Sequence, residues 1–234
     1  MVRTSLYVKT PWILLIALFL MGCAKEDAPG ELGNTTSNFA GMAAFNGIEG
    51  SEGMQIRIDG KSLNKDNERF STGQFINHRT VFSGKRVLEM REQEGGRTGT
   101  TEEFDFHAGT LYTFYFYDAG SMEYIVTEDD LLKPQNGHAR FRVVNLIHDA
   151  KINMKLKSSS MNFTHRFEEP VRKTEELPIE QMSITVSADH QIYEPLNLTF
   201  EPTSHSINTL VLYADGDGQS AKKKLAYRVI ELGK

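Results

Sequence analysis

Seven histidines stand at positions 78, 107, 138, 148, 165, 190 and 205, and histidine is both a frequent metal ligand and a frequent general base. Their spacing supports neither role. No two sit at ligand spacing on a helix, no H-E-x-x-H occurs, and one cysteine in 234 residues cannot form a paired-cysteine site. A site built from loops, such as His148 with Asp149, is the residual metal candidate. The segment "ADGDGQS" (Ala214 to Ser220) offers the carboxylates of a calcium loop. That loop, however, needs an oxygen ligand and a glycine where Gln219 and Ser220 stand, so a hairpin turn is the better reading. The acidic doublets Glu102-Glu103, Asp129-Asp130, Glu168-Glu169 and Glu175-Glu176 could suggest acid/base pairs. Glycoside hydrolysis needs two carboxylates facing each other across a cleft. Neighbours on a strand point to opposite faces, so all four doublets read as solvated surface. There is no G-x-S-x-G, no phosphate-cradling glycine loop and no cysteine nucleophile. The expectation is therefore a protein without catalytic residues, metal or cofactor.

The one cysteine has a different chemistry open to it. Arg3 and Lys9 begin the chain, and "PWILLIALFLMG" (Pro11 to Gly22) is an apolar run too short to span a bilayer comfortably. A basic start, a short apolar core and a small residue before a cut describe a secretory signal peptide. The next residue is Cys23. "Leu20-Met21-Gly22-Cys23" resembles the lipobox of bacterial lipoproteins. That resemblance implies a diacylglyceryl thioether on Cys23, cleavage that makes it residue one, and N-acylation. The other reading is an ordinary signal peptide that happens to contain a thiol, although exported chains rarely carry one unpaired. "AKEDAPGELGNTTSN" (Ala24 to Asn38) is polar and Gly-containing, and reads as a flexible tether. Its start, Lys25, Glu26 and Asp27, resembles the surface-export signal of Bacteroidota lipoproteins, with a solvated charge cluster as the alternative. Together these place the protein at the outer membrane, lipid-anchored and exposed at the cell surface.

Beyond the signal peptide, 24 basic residues face 31 acidic ones, a net charge of −7. That excludes nucleic acid and an anionic lipid headgroup surface as charge-driven partners, because both need clustered positive charge. The one basic run, Lys222-Lys223-Lys224, reads as a hairpin turn.

What remains must be positioned by strands. "MQIRI", "RVLEM", "EFDFHA", "LYTFYFYDA", "ARFRVVNL", "KINMKLK", "MSITVSA", "LNLTF", "INTLVLYA" and "LAYRVIEL" alternate or form short β-prone runs, bounded by turn residues. In "RVLEM" the alternation puts Val87 on the apolar face. "TEDDLLK" (Thr127 to Lys133) is the nearest helical candidate, a single turn capped by Thr127. Segments also recur in order. "TFYFYDAG" (Thr113 to Gly120) aligns with "TLVLYADG" (Thr209 to Gly216) at an offset of 96, and Phe104 with Phe200. "AFN" (Ala44 to Asn46) aligns with "VVN" (Val143 to Asn145) at an offset of 99. The fold expected is all-β: two tandem immunoglobulin-like antiparallel β-sandwiches after a signal peptide (1–22) and an acylated tether (23–38). The sandwiches occupy 39–133 and 138–234, with "KPQNGH" (Lys133 to His138) between them as a protease-sensitive boundary.

"ARFRVVNLIHDAKINMKLKSS" (Ala139 to Ser159) resembles the opening of the uncharacterised family known as domain of unknown function 4397. Arg142, Val143, Val144, Asn145, Asp149 and Ala150 stand where that pattern expects them, while Ile147-His148 replace its Ser-Pro turn. "AAFNGIEGSEGMQIRIDGKSL" resembles the same opening, with a longer turn and an Asp-Gly-Lys hairpin at Asp59 to Lys61. The resemblance implies secreted β-sandwich modules, frequent on bacterial lipoproteins, and no assigned activity.

Two functional classes follow. One is a non-enzymatic surface module for binding, adhesion or scaffolding, with an outer-membrane protein as partner. The other is a glycan-binding accessory lipoprotein of a nutrient-uptake complex. The second wants exposed rings for sugars to stack on, yet the sole tryptophan, Trp12, lies in the signal peptide. Tyr193, beside Pro195, is the candidate loop platform. Loops are where a sandwich recognises partners, so the segments Gly47 to Gly53, Arg91 to Thr101 and Ser187 to Pro195 are the candidate contacts. Arg91, Arg97, His190 and Tyr193 are the side chains singled out.

Overall fold

The computed structural model describes residues 38–65, 67–93, 99–167, 171–216 and 223–233. Cys23, Lys25, Glu26, Asp27, Arg97 and the segment 217–222, where the sequence predicts a hairpin turn, lie outside the described residues. From Asn38 to Lys234 the chain is one compact unit, all β among the described residues.

Eight strands form the first sandwich: β1 (Phe39–Asn46), β2 (Met54–Ile58), β3 (Lys61–Ser62), β4 (Phe75–Phe82), β5 (Gly84–Glu92), β6 (Thr101–Phe106), β7 (Leu111–Asp118) and β8 (Met122–Glu128). Nine follow: β9 (His138–Asn145), β10 (Ile152–Lys157), β11 (Asn162–Phe167), β12 (Val171–Pro178), β13 (Met182–Ala188), β14 (Tyr193–Glu194), β15 (Leu196–Phe200), β16 (Ile207–Asp215) and β17 (Lys223–Leu232). The sheet orders are β4-β1-β7-β8 with β3-β2-β5-β6, then β12-β9-β16-β17-β14 with β11-β10-β13-β15. Matched strand for strand, the halves share one topology, and the second adds only the two-residue β14 at a sheet edge. The aligned segments of the sequence fall on equivalent strands: β1 with β9, β6 with β15, β7 with β16.

Most ladders are antiparallel, as expected, but β1 pairs with β7, β9 with β16 and β14 with β17 in parallel. The first two pairs are possible because five or more strands intervene and serve as the crossover that parallel pairing needs.

Three apolar cores lie between four sheets. Met42, Ile56, Leu88, Phe106, Phe114 and their neighbours fill the first sandwich. Val143, Ile152, Leu156, Ile184, Leu210 and Leu212 belong to the core of the second. The third core joins the halves: Phe45 and Tyr115 from the first pack with Val144, Leu146, Val211, Tyr213 and Ile230 of the second. β1, β7, β9 and β16 are consequently buried along most of their length on both faces, which is why β1, β7 and β16 read as near-continuous apolar runs. Gly73, at φ +76°, lets the chain pass the Tyr213 hydroxyl, where an added Cβ would meet it at 2.4 Å. The halves are therefore not two bodies joined by a cuttable linker alone.

Two local expectations are corrected. Val87 faces outward, 40% exposed, while Leu88 and Met90 point into the core; a slip of one position reverses every face of a strand. "TEDDLLK" forms no helical turn: its first two residues end β8 and the rest has no regular structure.

Strand directions give the stack two poles. β1, β7, β9 and β16 all start at one pole, where the chain enters at Phe39, and all end at the other. The loops β1–β2, β7–β8, β9–β10 and β13–β15 gather at the far pole.

Candidate functional site

At that far pole the paired asparagines noted in the sequence make the same turn bond. Asn46 Oδ1 accepts from the Ile48 backbone N–H at 2.9 Å, and Asn145 Oδ1 accepts from the Ile147 N–H at 3.1 Å. A side chain that bonds the backbone two residues on makes an Asx turn. Asn46 also donates to Phe70 O at 2.8 Å and to Ser51 Oγ at 3.1 Å. Each turn is thereby fixed where its strand leaves the sheet.

Between the two turns lies a cleft of about 280 Å³ across the seam of the sandwiches. The first half contributes Gly47, Glu49, Asp118 and Gly120 to its walls; the second contributes Leu146 to Asp149, Tyr193, Ala214 and Lys223. Lys223 Nζ crosses the seam to Glu49 Oε2 at 2.9 Å and stands 3.9 Å from Asp149 Oδ2. The Tyr193 hydroxyl donates to Asp149 Oδ1 at 2.5 Å. Burial first, and then this bond to an anion, raise the Tyr193 phenol well above its ordinary range. The parallel pairing of β14 with β17 sets Tyr193 opposite Lys223, whose ammonium lies 5.8 Å over the tyrosine ring. A flank is formed by the rings of Tyr117 and His148, 6.3 Å apart. The cleft thus offers three carboxylates, one ammonium, an imidazole and a phenol. Such a lining can hydrogen-bond a polar ligand. Among the described residues no cluster of three His, Cys, Asp or Glu side chains could hold a metal ion.

The entry end of the seam is closed by charge. Asp129 accepts from Arg142 Nη2 at 2.6 Å and His78 Nε2 at 3.0 Å, and also from the Thr113 hydroxyl. Arg142 further donates to Tyr115 OH at 3.2 Å and Thr209 Oγ1 at 3.2 Å. The Asp129 side chain is fully buried. The doublet Asp129-Asp130 is therefore not solvated surface as a unit: Asp130 pairs at the surface with Arg140 at 2.9 Å, and Asp129 belongs to the seam. Both Asp129 oxygens are engaged, Oδ1 by Arg142 and Thr127 and Oδ2 by His78 and Thr113, and the network reads as a structural clamp.

The residues singled out from sequence are dispersed. Tyr193 reaches the cleft, but it is only 7% exposed and its ring is no surface platform. His190 is exposed in the β13–β15 loop, Arg91 is exposed on β5 and lines no part of the cleft, and Arg97 is outside the described residues. His148 and Asp149 do line it. Lys223 and Lys224 open β17 instead of forming a turn. Glu49 carries no motif, and Lys223 stands out in the sequence only as part of the basic run at 222–224; Glu49 follows β1 and Lys223 opens β17, strands that are not equivalents in the repeat, so nothing in the sequence pairs them.

No curated protein matches the chain. Among solved structures, the family CBM26 module from Eubacterium rectale Amy13K, determined in complex with maltoheptaose, is similar at 9% identity and a TM-score of 0.25. The alignment covers 84% of this chain and 98% of that one; at that score it carries no weight for what this chain binds. The family described as "Domain of unknown function (DUF4397)" matches residues 40–152, from β1 to the first residue of β10 and just under half of the chain.

Proposed function

We propose that this protein is a non-enzymatic, lipid-anchored binding module of the bacterial cell surface. The observation that carries the binding reading is the seam cleft. It is built from loops of both sandwiches, polar in lining, and placed at the pole opposite the point where the chain enters. The anchor rests on the lipobox-like Leu20 to Cys23, and surface display rests on Lys25, Glu26 and Asp27. A protein component of the outer membrane is the favoured partner. A glycan is the second reading, favoured by the carboxylate-rich lining, since sugar hydroxyls donate well to Glu49, Asp118 and Asp149. The burial of Tyr193 leaves hydrogen bonding, and not stacking, to carry it.

Two experiments test the reading. Cys23→Ala should release the protein from the membrane fraction, and mass spectrometry should find no acyl chains; a variant that still sediments with lipid attached contradicts the anchor. Lys223→Glu should abolish partner capture, or binding on a polysaccharide array, without altering the circular dichroism. Retained binding by that variant would remove the cleft from the account.

A further inference from the structure

The pole opposite the cleft is apolar in a way the rest of the described surface is not. Seven large hydrophobic side chains are exposed among the described residues, and five belong to that pole: Phe39 (40%), Phe82 (58%), Leu131 (39%), Leu132 (74%) and Ile179 (44%). Phe39 and Phe82 are direct cross-strand partners with ring centroids 5.2 Å apart. Leu131 and Leu132 follow the end of β8, where the Asp129 N–H bonds Leu111 O at the start of β7. Ile179 is tied to the same end through its N–H to Gly137 O at 3.1 Å. The charges around these residues are balanced. Arg86, 5.9 Å over the Phe82 ring, pairs with Asp59, Lys85 with Glu103 and Arg140 with Asp130. Nothing in this charge pattern selects an anionic or a cationic partner, so apolar contact dominates.

The length of chain before Phe39 bears on what can lie against this pole. Cys23 and Phe39 are separated by 15 residues, Ala24 to Asn38. Whatever their conformation, they span at most about 50 Å, and they join the domain at Phe39, within the apolar patch. We propose that this pole seats on the lipid bilayer that holds the acylated Cys23, with Phe39, Phe82, Leu131, Leu132 and Ile179 entering the interfacial layer. The proposal rests on the lipid-anchor reading. Aromatic and aliphatic side chains partition favourably into that layer, and a lipid anchor keeps them close enough for weak partitioning to suffice. The consequence is orientation. The eight-residue strands then run away from the membrane and hold the cleft roughly 25 Å above the patch, facing outward.

The chain after Cys23 holds no tryptophan, so one introduced indole reports alone. Full-length acylated Phe82→Trp protein is reconstituted into phosphatidylethanolamine–phosphatidylglycerol vesicles, with or without brominated acyl chains. The expected result is a blue-shifted emission that loses most of its intensity in brominated vesicles, while a His148→Trp variant is unaffected. A protein that floats with the vesicles but whose position-82 indole stays red and unquenched overturns the docking and leaves the anchor standing. An indole that is blue-shifted but unquenched is covered by protein, a second copy included, and also overturns the bilayer as occupant. A protein that does not float overturns the anchor and the docking with it.

Discussion

Arg142 on β9 and Asp129 after β8 meet at 2.6 Å across the seam, so one residue from each sandwich closes the interface. Their neighbours His78, Thr113, Tyr115 and Thr209 satisfy the remaining groups. Removing one member of a buried pair leaves the other charge uncompensated. Arg142→Met should therefore destabilise the protein by about 3–5 kcal/mol in denaturant unfolding. Pairing it with Asp129→Leu should restore much of that loss. A single variant as stable as the parent would show that the clamp contributes nothing.

Acid should act through the same carboxylate. Burial by itself would raise Asp129; the hydrogen bond from His78 and the charge of Arg142 oppose it and hold the group below the ordinary carboxylate value. A depressed folded value means the stabilisation is complete above the unfolded value of about 3.9 and is lost as pH falls through the folded one. Asp129→Asn should be less stable than the parent at pH 7, and the gap should narrow below about pH 4. A gap that stays constant down to pH 2 would contradict this.

The third core makes the two sandwiches interdependent. A protease site inserted after Leu132, in the segment without regular structure, should be cut in the folded protein. The fragments should nonetheless coelute on size exclusion and unfold in one transition, because Phe45, Tyr115, Val144 and Val211 remain packed. Separate elution of two folded fragments would show that the interface is weak.

Asn46 and Asn145 allow an internal comparison. Asn46→Ala removes three hydrogen bonds and Asn145→Ala two. At about 1–3 kcal/mol for a buried group left without its partner, the first substitution should cost more. Equal thermal shifts would mean the Ser51 and Phe70 contacts are not formed in solution.

Much of this architecture was legible in the sequence. Alternation marked the strands, and the matched "AFN" and "VVN" marked equivalent turns whose asparagines make the same bond. What escaped reading shares one cause: it depends on what lies across the seam. "TFYFY" and "TLVLY" are near-continuous apolar runs because a second sandwich covers their outer faces, yet a run alone does not name its cover. Asp129 looked like half of a surface doublet because its partner stands 13 residues on, in the other sandwich. Tyr193 looked like a loop platform because β14, two residues long, is too short to show a period. The Val87 face was misread where Leu88 and Val87 are both apolar and only register decides.

Site-directed photocrosslinking in the native envelope tests most directly the proposal that the far-pole cleft takes a ligand. A benzophenone amino acid replacing His148, at the cleft, should give a discrete adduct that Lys223→Glu abolishes. The same probe replacing Tyr227, exposed on β17 away from the cleft, should give none. Equal adducts from both positions, or an adduct from position 148 that survives Lys223→Glu, would contradict the cleft as the binding site.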